Sequence, residues 1–263
     1  MKIAYRFGHL KTCDQGANGI VSEYDFVRQY GAKVVEYLKA DGHTLIDCTP
    51  LEIVGSMSAS LSYGVTVANS NNADLFISFH ANAFNSGANG SEVVCGSQKG
   101  IEIGTRIVNN LQQLGFANRK AYIDVRGLYE IKATKMLSCI IEPLFVDSKL
   151  DMDLFNKVGL DKFSKAIADG IVGHTINGSQ PSPTPTPQPI VKKIFTPVEL
   201  VINQTLNCWD EAGNILKQFK QGDFITAIGS LPPRTEGESG WWKLNINGIT
   251  GWVLSAPTSY RNK

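Results

Sequence analysis

Two histidines and two glutamates have the types and the places along the chain that a catalytic metal site requires. Predicted strands end in or next to His9, His80 and Glu142, and a predicted helix begins with Glu23. In an open α/β sheet, ligands bind beyond the carboxyl ends of the strands, so we expect all four side chains at that edge. Two imidazoles and one carboxylate can hold zinc and leave a fourth position to water, while the second carboxylate handles protons.

Each residue also has an ordinary interpretation when it is taken alone. Glu23 is placed like an acid that opens a helix and is favoured by the helix dipole. His9 is placed like a loop histidine, and His80 like the cap of a loop. Glu142 is placed like a solvated carboxylate at a strand end. The catalytic interpretation therefore depends on the elements that bring the four residues to one edge.

These elements alternate between strands and helices. Short apolar runs predict strands over residues 2–7, 44–48, 75–79, 91–95 and 137–141. Apolar residues at helical spacing predict helices over residues 22–40, 58–71, 101–114 and 151–176. The alternation is typical of strand–helix–strand units, which build parallel sheets. We therefore predict an α/β fold with an open, mostly parallel twisted sheet and helices on both faces.

Composition narrows the classes of function. The 263 residues carry a formal net charge of +1, which gives no reason to expect nucleic acid as a partner. No apolar run is long enough to span a bilayer, and the first residues lack the apolar core of a secretory signal. The five cysteines show no CxxC spacing, which argues against a disulfide framework or a cysteine-rich zinc site. We expect a monomer that is made in the cytoplasm.

Proline marks the division between domains. In the first part of residues 178–193, proline alternates with small polar residues, a composition typical of an extended spacer. We predict a catalytic domain over residues 1–177, a proline-rich linker over 178–193 and a small all-β domain over 194–263. Short apolar runs separated by turn residues support the all-β assignment.

Four stretches of the first domain resemble the motifs of zinc-dependent N-acetylmuramoyl-L-alanine amidases. They are Phe7-Gly8-His9, Ser22-Glu23, Ser78-Phe79-His80-Ala81-Asn82-Ala83 and Ile140-Ile141-Glu142-Pro143-Leu144-Phe145. This family cuts the amide between the glycan and the stem peptide of peptidoglycan. The resemblance implies that His9, Glu23 and His80 bind zinc and that Glu142 is the catalytic acid/base.

Two departures and one additional likeness accompany these motifs. The first motif here reads Arg6-Phe7-Gly8-His9-Leu10, where the family usually has an acid, a proline and a second glycine around the histidine. The Glu142 motif has proline where the family commonly has glycine. The segment Arg126-Gly127-Leu128-Tyr129 resembles a family segment near the substrate, which implies a substrate contact for Arg126; an ordinary surface role is the alternative.

The C-terminal domain resembles bacterial SH3-type domains that bind cell walls. Leu216 to Gly222, Gly240-Trp241-Trp242-Lys243-Leu244 and Gly248-Ile249-Thr250-Gly251-Trp252-Val253 carry this likeness. Trp242 or Trp252 would fill the small core, and Trp241 is the candidate for contact with the wall.

Together the resemblances imply a peptidoglycan hydrolase of two domains that uses zinc-activated water. The absence of a signal-like segment favours a phage endolysin, which waits in the cytoplasm and acts on the wall after the membrane is breached. A bacterial autolysin or sporulation amidase of the same chemistry is one alternative. A zinc peptidase that cuts within the stem peptide is another, because such ligand sets also serve peptidases. A non-catalytic wall-binding protein is the third.

Overall fold

The computed structural model describes residues 1–50, 54–177, 198–203, 205–209, 215–227, 229–231, 241–246, 249–254 and 258–260. The chain divides into two compact units, and each is described by itself. The predicted linker, residues 178–193, lies outside the described residues, so the predicted domain boundaries stay predictions.

The first unit is built around a six-stranded sheet. Its elements are β1 (Lys2–Phe7), α1 (Glu23–Ala40), β2 (Thr44–Asp47), α2 (Met57–Ser70), β3 (Leu75–Phe79), β4 (Ser91–Cys95), α3 (Gln98–Gln113), β5 (Asn118–Ile123), α4 (Tyr129–Ala133), β6 (Leu137–Glu142), α5 (Lys149–Val158) and α6 (Leu160–Val172). The strand order is β2-β1-β3-β6-β4-β5. The first four of these strands run parallel to one another, which confirms the predicted α/β fold with a mostly parallel sheet.

Strand alternation separates the two faces of the sheet. One face of β1 and β3 carries Ile3, Tyr5, Ile77 and Phe79, which are buried in the main core with residues of α1, α3 and α6. On the opposite face, Arg6 lies against Gly64 of α2 and hydrogen-bonds across to α4. Helices therefore cover both faces, and the strands read as apolar runs because they are buried on both sides.

Local sequence explains why α1 begins where it does. Ser22 has extended backbone angles, and its hydroxyl accepts a 3.5 Å hydrogen bond from the Asp25 backbone N–H. This capping satisfies a backbone donor of the first turn. The predicted start at Ser22 is confirmed, and Glu23 becomes the first residue of the helix.

Strand β4 runs in the opposite direction to the four parallel strands of the sheet. It pairs antiparallel with β6, while β5 pairs parallel with β4. The reversal brings the start of β4 to the edge where β6 ends, so that Glu92 is the cross-strand partner of Glu142. The apolar pattern of β4 does not specify strand direction, and this consequence was not predicted.

The structure corrects one predicted helix and adds two elements. The single helix predicted over residues 151–176 is wrong, because α5 ends and α6 begins around Gly159. Gly159 has φ of +85°, a backbone conformation that favours glycine and interrupts a right-handed helix. The strand β5 and the short helix α4 were not predicted. No side chain of β5 is fully buried, and α4 has only five residues, so neither shows a clear apolar pattern.

The second unit contains the strands that follow the predicted linker. Its strands are β7 (Val198–Ile202), β8 (Leu206–Trp209), β9 (Ile215–Phe219), β10 (Phe224–Ala227), β11 (Gly229–Leu231), β12 (Trp241–Ile246), β13 (Ile249–Leu254) and β14 (Thr258–Tyr260). They form a three-stranded and a five-stranded sheet. Leu200, Ile202, Phe219 and Leu244 belong to their shared core, against which Trp242 packs. An SH3-like barrel stays a prediction.

Within the described residues, no helix combines the length and the apolar character needed to cross a bilayer.

Candidate functional site

The structure brings three of the four predicted residues into direct contact. His9 Nε2 lies 2.8 Å from Glu23 Oε1 and 3.0 Å from His80 Nδ1. His80 Nδ1 lies 3.3 Å from Glu23 Oε1. Three elements supply these atoms: the loop after β1, the first turn of α1 and the end of β3. The predicted convergence of His9, Glu23 and His80 at one sheet edge is therefore present.

The loop that carries His9 adopts an unusual backbone. His9 has φ of +64°, in the left-handed region that costs energy for any residue other than glycine. Arg28 holds this loop, since its guanidinium donates hydrogen bonds of 3.1 Å to the Gly8 carbonyl and 2.9 Å to the His9 carbonyl. Gly8 leaves room for the neighbouring imidazole: a Cβ there would lie 2.5 Å from His80 Cε1. Strain and close approach are thus concentrated at the ligand loop.

Asp14 orients the His9 ring. Its Oδ2 lies 2.8 Å from His9 Nδ1, and its Oδ1 accepts a 3.1 Å hydrogen bond from the Gly16 backbone N–H. The Leu10 and Asp14 backbones exchange bonds of 2.7 and 2.9 Å, which closes the loop between them. A carboxylate on the far nitrogen of a ligating histidine fixes its tautomer and raises its basicity.

Glu23 is the acceptor at the centre of the group. Its Oε1 accepts a 3.0 Å bond from the Ala81 backbone N–H, and its Oε2 accepts a 2.8 Å bond from Ala17 N–H. Burial raises the pKa of this carboxyl, but hydrogen bonds from His80 and His9 outweigh burial and hold the pKa well below its usual range. Burial lowers the pKa of His9, and the carboxylates of Glu23 and Asp14 raise it above its ordinary value.

The donor set fits a zinc ion. In the described part of the chain, His9, Glu23 and His80 form the one group of its kind whose ligand atoms lie within 4.8 Å of one another. A tetrahedral zinc ion with bonds of about 2.0–2.1 Å holds its ligand atoms roughly 3.3 Å apart. The observed separations of 2.8 to 3.3 Å need small outward movements to match. Two imidazoles and a carboxylate are also a ligand set that catalytic zinc sites use.

Glu142 lies at the same edge, outside this group. It ends β6, and its Oε2 is buried without a hydrogen-bond partner among the described residues. Burial, followed by the negative charges of Glu23 and Glu92, raises the pKa of Glu142 well above its ordinary value, and the charge of Arg126 opposes this. A carboxyl with a raised pKa and an unpaired oxygen is suited to accept and return a proton during a reaction.

Three donors hold Glu92, the cross-strand partner of Glu142. Its carboxylate accepts bonds of 3.0 Å from Asn82 Nδ2, 3.1 Å from the Tyr122 hydroxyl and 2.8 Å from Arg119 Nε. The two carboxyls thus have opposite surroundings, because one is fully hydrogen-bonded and the other has an unpaired oxygen. Neighbouring carboxyls with such different environments are typical of acid/base sites.

The two remaining candidate residues are Arg126 and Trp241. The Arg126 side chain is 60% exposed, and its Nε lies 3.9 Å from Asp124 Oδ1. Trp241 begins β12, but its side chain lies outside the described residues. The roles of Arg126 and Trp241 stay predictions.

Sequence reasoning missed Asp14, Glu92 and Glu130. Asp14 follows His9 after five residues in a glycine-containing loop, which is the one signal in the sequence that pointed to a nearby acid. Glu92 and Glu130 reach the site through strand direction and through contacts across many residues, and no local pattern reveals these.

Comparison with known proteins places the likeness in the first unit. The family model Amidase_3, described as N-acetylmuramoyl-L-alanine amidase, matches residues 3–173. The solved catalytic domain of the CD27L endolysin targeting Clostridia Difficile is 33% identical, with a TM-score of 0.62, and the match covers 67% of this chain and 99% of that domain. The N-acetylmuramoyl-L-alanine amidase LytC of Bacillus subtilis (strain 168) is 35% identical over 120 residues, which are 44% of this chain and 24% of LytC.

An uncharacterized protein of Clostridium perfringens (strain 13 / Type A) is 34% identical over 177 residues. The match covers 65% of this chain and 51% of that protein, so the chain spans about half the length of this relative.

Proposed function

Because the chain belongs to the N-acetylmuramoyl-L-alanine amidase family, we propose that it hydrolyses the amide between N-acetylmuramic acid and L-alanine in peptidoglycan, with zinc as cofactor. The observation that carries this proposal is the contact of His9, Glu23 and His80 at 2.8 to 3.3 Å beside a carboxyl with a buried, unpaired oxygen. The match of the family over residues 3–173 supplies the reaction and the substrate class.

His9, Glu23 and His80 would hold the zinc ion. When bound, zinc supplies Lewis acidity toward the amide carbonyl and lowers the pKa of a coordinated water. Backbone N–H groups of Ala17 and Ala81 fix both oxygens of Glu23, and Asp14 fixes the ring of His9. The ligands are therefore oriented before metal arrives, which reduces the reorganisation that binding requires.

Glu142 handles the protons of the reaction. As a carboxylate it takes a proton from the attacking water, and as an acid it returns that proton to the nitrogen of the leaving L-alanine. A raised pKa serves both steps, because the group must change protonation state near the working pH. Glu92, the cross-strand partner of Glu142, stays hydrogen-bonded to three donors, which hold its carboxylate in place beside Glu142.

We propose that the second unit binds the cell wall through Trp241 and that Arg126 contacts the substrate. The described strands of this unit form two sheets around an apolar core, which is consistent with a small wall-binding module. In a pull-down of the full chain on purified walls, Trp241→Ala should reduce the bound fraction, with Lys243→Ala as the control. Equal binding of both variants would contradict the assignment of Trp241.

We propose a phage endolysin role, with synthesis in the cytoplasm and action on the wall after the membrane is breached. The likeness to an endolysin catalytic domain over 99% of that domain supports this role. A coding sequence among phage lysis genes would agree with it, whereas one among chromosomal wall genes would favour an autolysin.

The test of the reaction uses the metal-stripped full chain on purified Gram-positive walls, with and without added zinc. Zinc-dependent release of amino-terminal alanine, without new reducing sugar ends, is the expected result. New amino termini of other residues would show a stem-peptide peptidase instead. Binding without any release would show a non-catalytic wall-binding protein.

A further inference from the structure

A buried ion pair lies beneath the metal-ligand group. Arg6 Nη1 lies 2.6 Å from Glu130 Oε1, and each side chain is only 4% exposed. Arg6 is on β1 and Glu130 is on α4, so the pair joins the sheet to the helix that covers it. Removing two charges from water costs several kcal/mol, and their attraction often does no more than offset this cost. Net stability alone is therefore a weak reason for this pair.

Two serines complete the network. The Ser60 hydroxyl accepts a 2.7 Å bond from Arg6 Nη2, and the Ser78 hydroxyl donates a 3.1 Å bond to Glu130 Oε2. Ser78 lies on β3, and His80 follows two residues later, just beyond the end of that strand. These contacts fix the Glu130 carboxylate in one place and hold it close to the end of β3.

The same carboxylate faces the outer nitrogen of His80. Glu130 Oε2 lies 3.9 Å from His80 Nε2, while His80 Nδ1 faces His9 and Glu23. A metal bound at Nδ1 requires the imidazole proton on Nε2, where a carboxylate favours it. The two nitrogens of this ring thus face the candidate metal position on one side and a buried negative charge on the other.

We propose that Glu130, held by Arg6, is a positioning residue that selects the Nε2–H tautomer of His80 and so presents Nδ1 to the metal. This rests on the proposed function, because it takes His80 as a zinc ligand. Asp14 has the corresponding place at His9, where it lies against Nδ1 and leaves Nε2 for the metal. Each of the two histidines therefore has a carboxylate facing its far nitrogen, at hydrogen-bond distance for His9 and as an electrostatic contact of 3.9 Å for His80.

The first test replaces the pair without leaving an unpaired buried charge. The full chain with Arg6→Met and Glu130→Leu keeps apolar volume in place of both charges, a change that is often neutral for folding. Competition with a chromophoric chelator measures zinc affinity, and circular dichroism measures the melting temperature. We expect affinity to fall about 10- to 100-fold with a melting temperature close to that of the wild type. Restoring a polar group at this position, as Arg6→Met with Glu130→Gln, should recover part of the affinity.

Asn69→Ala is the matched control for loosening α4. Asn69 donates a 3.0 Å bond to the Ala133 carbonyl and accepts a 2.9 Å bond from the Lys135 backbone N–H, so it anchors the end of α4 at a distance from the carboxylate. The Asn69→Ala variant should bind zinc with wild-type affinity. Equal loss in Asn69→Ala and in the charge-free variant would overturn the proposal, and so would wild-type affinity in a folded charge-free variant.

A second measurement needs no variant at the pair. Nitrogen-15 shifts of His80 in the zinc-loaded wild type, assigned by comparison with His80→Gln, report which ring nitrogen binds metal. Metal at Nδ1 and a proton at Nε2 is the expected pattern, and metal at Nε2 would overturn the proposal. A wild-type chain that binds no zinc would overturn the proposed metal site itself, an outcome distinct from the failure of Glu130 alone.

Discussion

Removing the Asp14 carboxylate tests whether its contact with Nδ1 orients the His9 ring. In the structure this side chain makes a 2.8 Å contact with His9 Nδ1 and a 3.1 Å bond with the Gly16 N–H. Asp14→Ala removes both, so the His9 ring loses its far partner and its tautomer is no longer fixed. Loss of such a partner costs 10- to 100-fold in metal affinity, which is about 1.4 to 2.7 kcal/mol.

The assay is equilibrium competition for zinc between the full chain and a chromophoric chelator. Asp14→Asn retains an oxygen that can accept from His9 Nδ1 but has no charge, so its affinity should fall between those of the wild type and Asp14→Ala. Gln15→Ala is the control, because Gln15 is the next residue and its side chain makes a single 3.4 Å bond to the Lys11 carbonyl. Wild-type zinc affinity in a folded Asp14→Ala variant would refute the reasoning.

Three further variants test other parts of the site. Gly8→Ala places a Cβ 2.7 Å from His80 Nε2 and 2.7 Å from the Phe79 carbonyl oxygen. Zinc affinity should therefore drop at least 10-fold in the chelator assay. Unchanged affinity would show that the His80 ring can move away from the new methyl group without cost. Arg28→Ala removes the hydrogen bonds to the Gly8 and His9 carbonyls, so the melting temperature and the zinc affinity should both decrease. If both stayed at their wild-type values, Arg28 would not be needed to hold this loop. Glu142→Gln should raise the melting temperature of the metal-free protein, increasingly so from pH 5 to pH 8. The reason is that burial raises the folded-state pKa of this carboxyl, so its stabilising contribution is full below the unfolded value near 4.5 and is lost as pH rises through the folded value. A constant difference across that pH range would contradict it.

The sequence was sufficient to predict that His9, Glu23 and His80 meet, because strand ends and a helix start place them at one edge of a parallel sheet. His80 follows a strand that is apolar on both faces, and Glu23 follows a serine that caps a helix. Because the carboxyl ends of parallel strands lie at the same edge of a sheet, residues that follow such strands are expected there from the sequence alone. The direct contacts among His9, Glu23 and His80 agree with that reasoning.

Other features depend on interactions between distant parts of the chain. Arg6 and Glu130 are separated by 124 residues, and their pairing depends on a five-residue helix too short to show periodicity. Glu92 lies opposite Glu142 because β4 runs antiparallel to β6. The apolar residues of β4 fit either strand direction equally well, so the sequence does not reveal this pairing. Gly159 could have ended the predicted long helix, but a glycine inside a helical pattern is also tolerated.

Zinc content and wall cleavage, measured together in three forms of the full chain, test the central claim most directly. The forms are the wild type, Glu142→Gln and His80→Ala. We predict that the wild type binds one zinc ion and releases amino-terminal alanine from walls, and that Glu142→Gln binds zinc but releases almost none. His80→Ala should lose both zinc and release. Near-full release by Glu142→Gln, or by a His80→Ala variant without zinc, would contradict a metal site served by a separate acid/base.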